Sequence, residues 1–191
     1  NASSHFARNQ SSLSFIGGIY LPSAALAIMS LVWSNALSTN GSGFSGEIPI
    51  ELGKLVNLQQ LDLADCKYSG QIPIELGSLL NLQNLNLCLN QFEGEIPKQL
   101  GNLKQLKNLS LWNNKLTGSI PAELGGMASL ELLSLYTNQL TGLIPAELGN
   151  LSNLTELNLG QNQLTGSIPT ELGDLKKLDY LSLWQNLLTG V

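Results

Sequence analysis

The side chains able to do chemistry in this chain are few, and their placement favours recognition over catalysis. His5 is the only histidine, and it stands outside the patterned part of the chain, where it reads as an incidental surface residue rather than a base. Glu51, Glu75, Glu123, Glu147 and Glu171 fall at one recurring position, which marks a solvated rim and not an acid–base pair. There is no phosphate loop, no His–Cys metal cluster and no Gly-x-Ser-x-Gly elbow. The expectation is therefore no catalytic residue, no metal and no cofactor. Only 12% of residues are charged and the net charge is −5. The basic residues are scattered, which argues against nucleic acid as a partner. What remains is the chemistry of contact. Trp112, Tyr136 and Trp184 occupy one slot of a repeating pattern, and Trp and Tyr are favoured residues at the centres of protein interfaces.

The pattern that positions them has a period of 24 residues. Gly-x-Ile-Pro occurs at 46–49, 70–73, 94–97, 118–121, 142–145 and 166–169, and six of the seven prolines lie in that register. Self-similarity of this length means a solenoid whose units bury their apolar faces against one another. In one unit the skeleton is Ile120, Leu124, Met127, Leu130, Leu133, Leu135, Asn138 and Leu140. Leu133-Ser134-Leu135 alternates as a strand with one buried face. Pro-x-Glu-Leu-Gly, with Gln99 in place of Glu in the third unit, predicts one short helical turn that opens at Pro and stops at Gly. Burying a Leu is worth about 1.5–3 kcal/mol and ordering a residue costs ~1–2 kcal/mol, so a single unit cannot stand alone. Stacked at ~4.8 Å per strand, six units form a pile roughly 25–30 Å long.

Leu-x-x-Leu-x-Leu-x-x-Asn-x-Leu, extended by Leu-Thr-Gly-x-Ile-Pro-x-Glu-Leu-Gly-x-Leu, resembles the plant-type leucine-rich repeat over residues 46–191. The resemblance implies an α/β repeat fold: a right-handed solenoid with a parallel β-sheet on the concave side and short helical turns on the convex side. It implies a non-catalytic module that recognises a protein or peptide ligand and is joined by a co-receptor, as in the extracellular part of a receptor-like kinase or receptor-like protein at the plasma membrane. The alternative is a free-standing secreted or cytoplasmic interaction protein, such as an inhibitor of a wall-degrading enzyme or a scaffold. Any kinase activity would belong to a domain this chain does not contain.

Asn90, Asn114, Asn138, Asn162 and Asn186 recur in the inward slot. Buried amides need partners, so their side chains are expected to bond backbone groups of the adjacent turn. On the concave side the candidate ligand contacts are Trp112, Tyr136, Trp184, Tyr180, Asn158, Gln161, Asn113 and Glu156, with Gly160 expected to leave a gap between Tyr136 and Trp184. The same slot holds Ala64 and Cys88 in earlier turns; packing of the aromatics on one another is the competing reading. Asn-x-Ser/Thr triplets make Asn150, Asn153 and Asn108 candidate glycosylation sites, with Asn1, Asn9 and Asn40 also matching. Cys66 takes the inward asparagine slot and Cys88 an outward concave one, a separation of ~8 Å that is beyond a disulfide's reach; two free thiols are expected.

The remaining organisation is a leader over 1–36, a degenerate half-repeat over 37–45 with Thr39 and Ser42 in the Leu and Asn slots, and repeats over 46–191 without a C-terminal cap. The pattern suggests an internal fragment of a longer protein. The uncharged apolar run Phe15–Trp33 reads as a signal-peptide core, a membrane anchor, or a poorly ordered or non-native leader; Gly17, Gly18 and Pro22 weaken the helical readings. Contact with a membrane is expected only through that leader or through segments beyond this chain.

Overall fold

The computed structural model describes residues 35–190. His5, Asn1, Asn9 and all of the leader before Asn35 lie outside the described residues. From Ala36 onward the chain winds as stacked turns. Seven parallel strands, Ala36–Ser38, Gln60–Asp62, Asn84–Asn86, Asn108–Ser110, Leu132–Ser134, Glu156–Asn158 and Tyr180–Ser182, form one continuous sheet in chain order. Each pairs with the residue 24 positions on, as Leu37 with Leu61 and Leu133 with Leu157. In every strand but the last, where Leu181 is 45% exposed, the middle residue is buried in the core. Leu61, Leu85, Leu109, Leu133 and Leu157 are buried and stack on one another.

A second set of short parallel strands runs along one flank. Ser45–Gly46, Lys67–Gln71, Gln91–Glu95 and Lys115–Thr117 form one group, and Thr165–Gly166 with Leu187–Leu188 another. Here partners lie 22 residues apart, as Ser69 with Gln91 and Thr165 with Leu187. The flank's inward residues continue the core, with Tyr68 and Phe92 stacked at 6.3 Å between ring centres and 6° between planes.

On the opposite side each turn makes a five-residue 3₁₀ helix: Ile50–Lys54, Ile74–Ser78, Lys98–Asn102, Ala122–Gly126, Ala146–Asn150 and Thr170–Asp174. Proline precedes every one in an extended conformation, for example Pro121 at φ −65° and ψ 130°, and its carbonyl accepts the first helical bond, Leu124 N–H to Pro121 O at 3.1 Å. The expectation that the recurring glycine stops the helix is corrected by the structure. Gly53, Gly77, Gly101 and Gly125 lie within the helices, and the closing N–H comes from Leu55, Leu79, Leu103 and Met127. A Cβ on Gly101 or Gly125 would collide with the carbonyl and Cβ of Glu123 or Glu147 in the next turn. The glycines are there because successive helices touch backbone to backbone.

The inward asparagines tie turn to turn. Asn114 Nδ2 donates to Leu87 O of the previous turn at 3.0 Å and to Leu111 O at 3.0 Å, and its Oδ1 accepts the Phe92 N–H at 3.0 Å. Asn90, Asn138, Asn162 and Asn186 repeat the arrangement. Cys66, in the same slot, gives a thinner version: Sγ–H faces Thr39 O at 3.1 Å and Ala64 O at 3.3 Å.

Just before each inward slot the backbone enters the left-handed region, at Asp65, Leu89, Asn113, Thr137, Gln161 and Gln185, with φ between 50° and 56°. Asn and Asp tolerate this conformation; a branched or bulky side chain is strained in it. Two measurements follow. In urea unfolding, Asn114→Ala should lose about 3 kcal/mol, because backbone groups in the core lose their partners; a loss below about 1 kcal/mol would show that the amide is not a tie. Leu89→Asn should gain about 1 kcal/mol by relieving the left-handed strain; a loss would mean that packing of the Leu89 side chain outweighs it.

Candidate ligand-binding face

The concave sheet presents outward-facing rows because alternate strand residues point away from the core. The first row carries Gln60, Asn84, Asn108, Leu132, Glu156 and Tyr180, and the second Asp62, Asn86, Ser110, Ser134, Asn158 and Ser182. Past the buried Leu of each turn comes a third row: Ala64, Cys88, Trp112, Tyr136, Gly160 and Trp184.

The third row is a strip of rings. Trp112 and Tyr136 lie 6.4 Å apart between ring centres at 43°, and Tyr136 and Trp184 lie 6.1 Å apart at 34°. These are tilted packing geometries of favourable kind. The second distance corrects the expected gap at Gly160. Two strand spacings separate the backbones of Tyr136 and Trp184, ~9.6 Å, yet the rings approach as closely as neighbours. The indole leans back over Gly160, where a Cβ would stand 2.8 Å from its Nε1. Mutual packing and an open face coexist here. Trp112 and Tyr136 are half-buried, whereas Trp184 is 51% and Tyr180 49% exposed.

A polar ladder flanks the rings. Thr137 Oγ1 donates to Gln161 Oε1 at 2.6 Å, and Gln161 Nε2 donates to Gln185 Oε1 at 2.7 Å. Asn113 is exposed one turn earlier in the same row. Asn158 Oδ1 accepts the Gly160 N–H at 3.3 Å, and Glu156 is half-buried in the row that carries Tyr180. Asn108 is spoken for, its amide donating to Asn84 Oδ1. Sequence reasoning missed Leu132, a half-buried apolar residue amid the polar first row, although an apolar residue in a slot otherwise polar was a readable signal. Cys88 stands in the outward third row but is covered there by its neighbours, at 5% exposure. Both cysteines are free. Among the described residues no group of three or more His, Cys, Asp or Glu is disposed to hold a metal, and no helix is long and apolar enough to cross a membrane.

A family model for a leucine-rich repeat region matches residues 52–189. The chain belongs to the leucine-rich repeat family. Its repeats resemble the ectodomain of the plant membrane receptor kinase GASSHO1/SCHENGEN3 from Arabidopsis thaliana, solved in complex with CASPARIAN STRIP INTEGRITY FACTOR 2, at 49% identity and a TM-score of 0.76 over 77% of this chain and 18% of that one. They resemble a TDR receptor at 40% identity and a TM-score of 0.83, over 88% of this chain and 29% of that one. They also resemble the Arabidopsis receptor kinase HAESA, solved with the peptide hormone IDA and the co-receptor SERK1, at 37% identity and a TM-score of 0.65, over 76% and 28%. The chain thus spans less than a third of each of these receptor structures. No curated protein matches it significantly. The leucine-rich repeat solenoid is a non-catalytic scaffold.

Burial, the larger cause, and the carboxylates of Asp62 and Asp65 push the Cys88 thiol above its ordinary pKa, against a hydrogen bond from Ser110. A raised thiol pKa keeps the neutral, unreactive form at neutral pH. In the native chain at pH 7.5, iodoacetamide should therefore modify Cys88 at least tenfold more slowly than in the urea-unfolded chain. Peptide mapping by mass spectrometry reads this directly, and equal rates would mean that the thiol is accessible after all.

Proposed function

We propose that this chain is the ligand-reading part of the extracellular region of a receptor-like kinase or receptor-like protein in a signalling pathway. An extended peptide or protein segment lies along the concave strip Trp112–Tyr136–Trp184, with Tyr180, Glu156, Asn158, Asn113 and Gln161 as polar and aromatic neighbours. A co-receptor then joins the assembled face. The observation that carries this reading is the ring strip itself: three aromatic side chains packed in line on the face of a rigid sheet. The peptide-bound and co-receptor-bound ectodomains among the similar structures support it.

Glycosylation at Asn150 fits the same extracellular setting. Asn150 is exposed at the end of a convex helix, away from the strip. Asn153 is a poorer acceptor, since its amide donates to Ala128 O at 2.9 Å and accepts from Lys177 Nζ at 2.8 Å. Asn108 is bonded within the sheet.

The test is selection of phage-displayed random heptapeptides on the immobilised chain, followed by titration calorimetry of the selected peptides. Trp112→Ala and Trp184→Ala should each weaken binding by about 2 kcal/mol, as expected for aromatic interface centres. Unchanged affinity in both variants, or no peptide selected at all, would remove the strip from consideration.

A further inference from the structure

Row symmetry exposes one irregularity on the concave face. A residue in the ring row sits next to the second-row residue of the following turn, 22 positions on. At Cys88 this neighbour is Ser110, a hydroxyl facing a thiol. At Gly160 the neighbour is Ser182, and glycine has no side chain to offer. Ser182 is 5% exposed, and among the described residues its hydroxyl is the one buried side-chain oxygen or nitrogen that has no hydrogen-bond partner. Native structures rarely leave such a group unsatisfied without reason.

The geometry around Gly160 shows where a partner would enter. A Cβ placed there would meet Ser182 Oγ at 3.0 Å, Trp184 Nε1 at 2.8 Å and Trp184 Cδ1 at 3.0 Å. The hydroxyl and the indole thus converge on one point directly above the glycine. Asn158, whose Oδ1 holds the Gly160 N–H, forms the other shoulder. The floor is backbone and the roof is the indole, a half-exposed side chain held by packing on Tyr136. Of the groups enclosing this point, the indole is the one that can swing aside without breaking the sheet.

Resting on the reading that a peptide binds along the ring strip, we propose that the space over Gly160 is a notch for one Ser or Thr side chain of that peptide. The incoming hydroxyl displaces the indole, pairs with Ser182 and takes the position that a side chain on residue 160 would otherwise fill. The indole then lies against the bound peptide. Size selects for small residues, because the notch is no deeper than the side chain that glycine lacks. Hydrogen-bonding capacity selects against Ala, which would leave Ser182 as unpartnered as before.

The test uses the heptapeptides selected on the chain. They should share a Ser or Thr at one position, and its replacement by Ala should weaken binding at least tenfold to the native chain but less than twofold to Ser182→Ala, so that the two hydroxyls are coupled in a double-mutant cycle. Gly160→Ser, which supplies the hydroxyl from within, should weaken the same peptides at least tenfold while keeping the native circular dichroism and melting transition. If Trp112→Ala weakens the peptides but Ser182→Ala and Gly160→Ser bind them as the native chain does, the strip stands and the notch is wrong. If Ser182→Ala only raises the melting temperature, the hydroxyl is structural and the proposal fails. If no peptide binds, the reading beneath it fails too.

Discussion

Everything in this molecule depends on the backbone of one turn being completed by the next. A 24-residue loop has too little apolar surface to exclude water, and its polar backbone cannot be satisfied from within. The inward asparagine addresses both difficulties. Its amide donates to carbonyls of its own and the preceding turn and accepts an N–H from the preceding turn, so the leucine ladders can close without stranding polar groups. Cohesion is therefore between neighbours and not within units, as in other stacked-repeat proteins. The thinner bonding of Cys66 marks the place where that tie has one donor instead of two.

Much of this was readable from residue spacing, because repetition amplifies weak signals. One Leu-x-Leu is ambiguous; six at a fixed period are a sheet. Pro at the mouth of each helical turn was legible for the same reason. The glycines show where spacing stops being informative. Gly101 and its equivalents looked like stop signals because glycine often follows a helix, yet they answer to a contact with Glu123 and its equivalents one turn on. That neighbour is 22 residues away, and no local pattern names it. The left-handed residues were hidden differently: Asn113 hints at such a conformation, while Leu89 and Thr137 adopt it against their own preference because the stack demands it.

The concave face divides along the same line. The row to which Trp112, Tyr136 and Trp184 belong follows from periodicity. Their mutual arrangement does not, since it depends on an indole choosing a rotamer across a glycine. An absence in a sequence pattern, here the missing side chain at 160, is thus ambiguous until one sees what leans into it. The rigid sheet beneath gives this choice its significance. Rows fixed by main-chain pairing hold side chains at set intervals, so the face is ordered in advance of any contact.

The two sheets keep different accounts of the same period. On the concave side each residue faces its equivalent, 24 positions on; on the flank each faces a residue only 22 on. Every added turn therefore slips the flank by two residues, ~6.6 Å along the strand, while the concave side does not slip at all. The flank strands therefore lie inclined to the stacking direction, whereas the concave strands run square across it. Equivalent residues line up straight along the concave face and step sideways along the flank. A molecule touching both surfaces would meet residues of different repeat positions on the two, so its fit depends on the number of turns it spans.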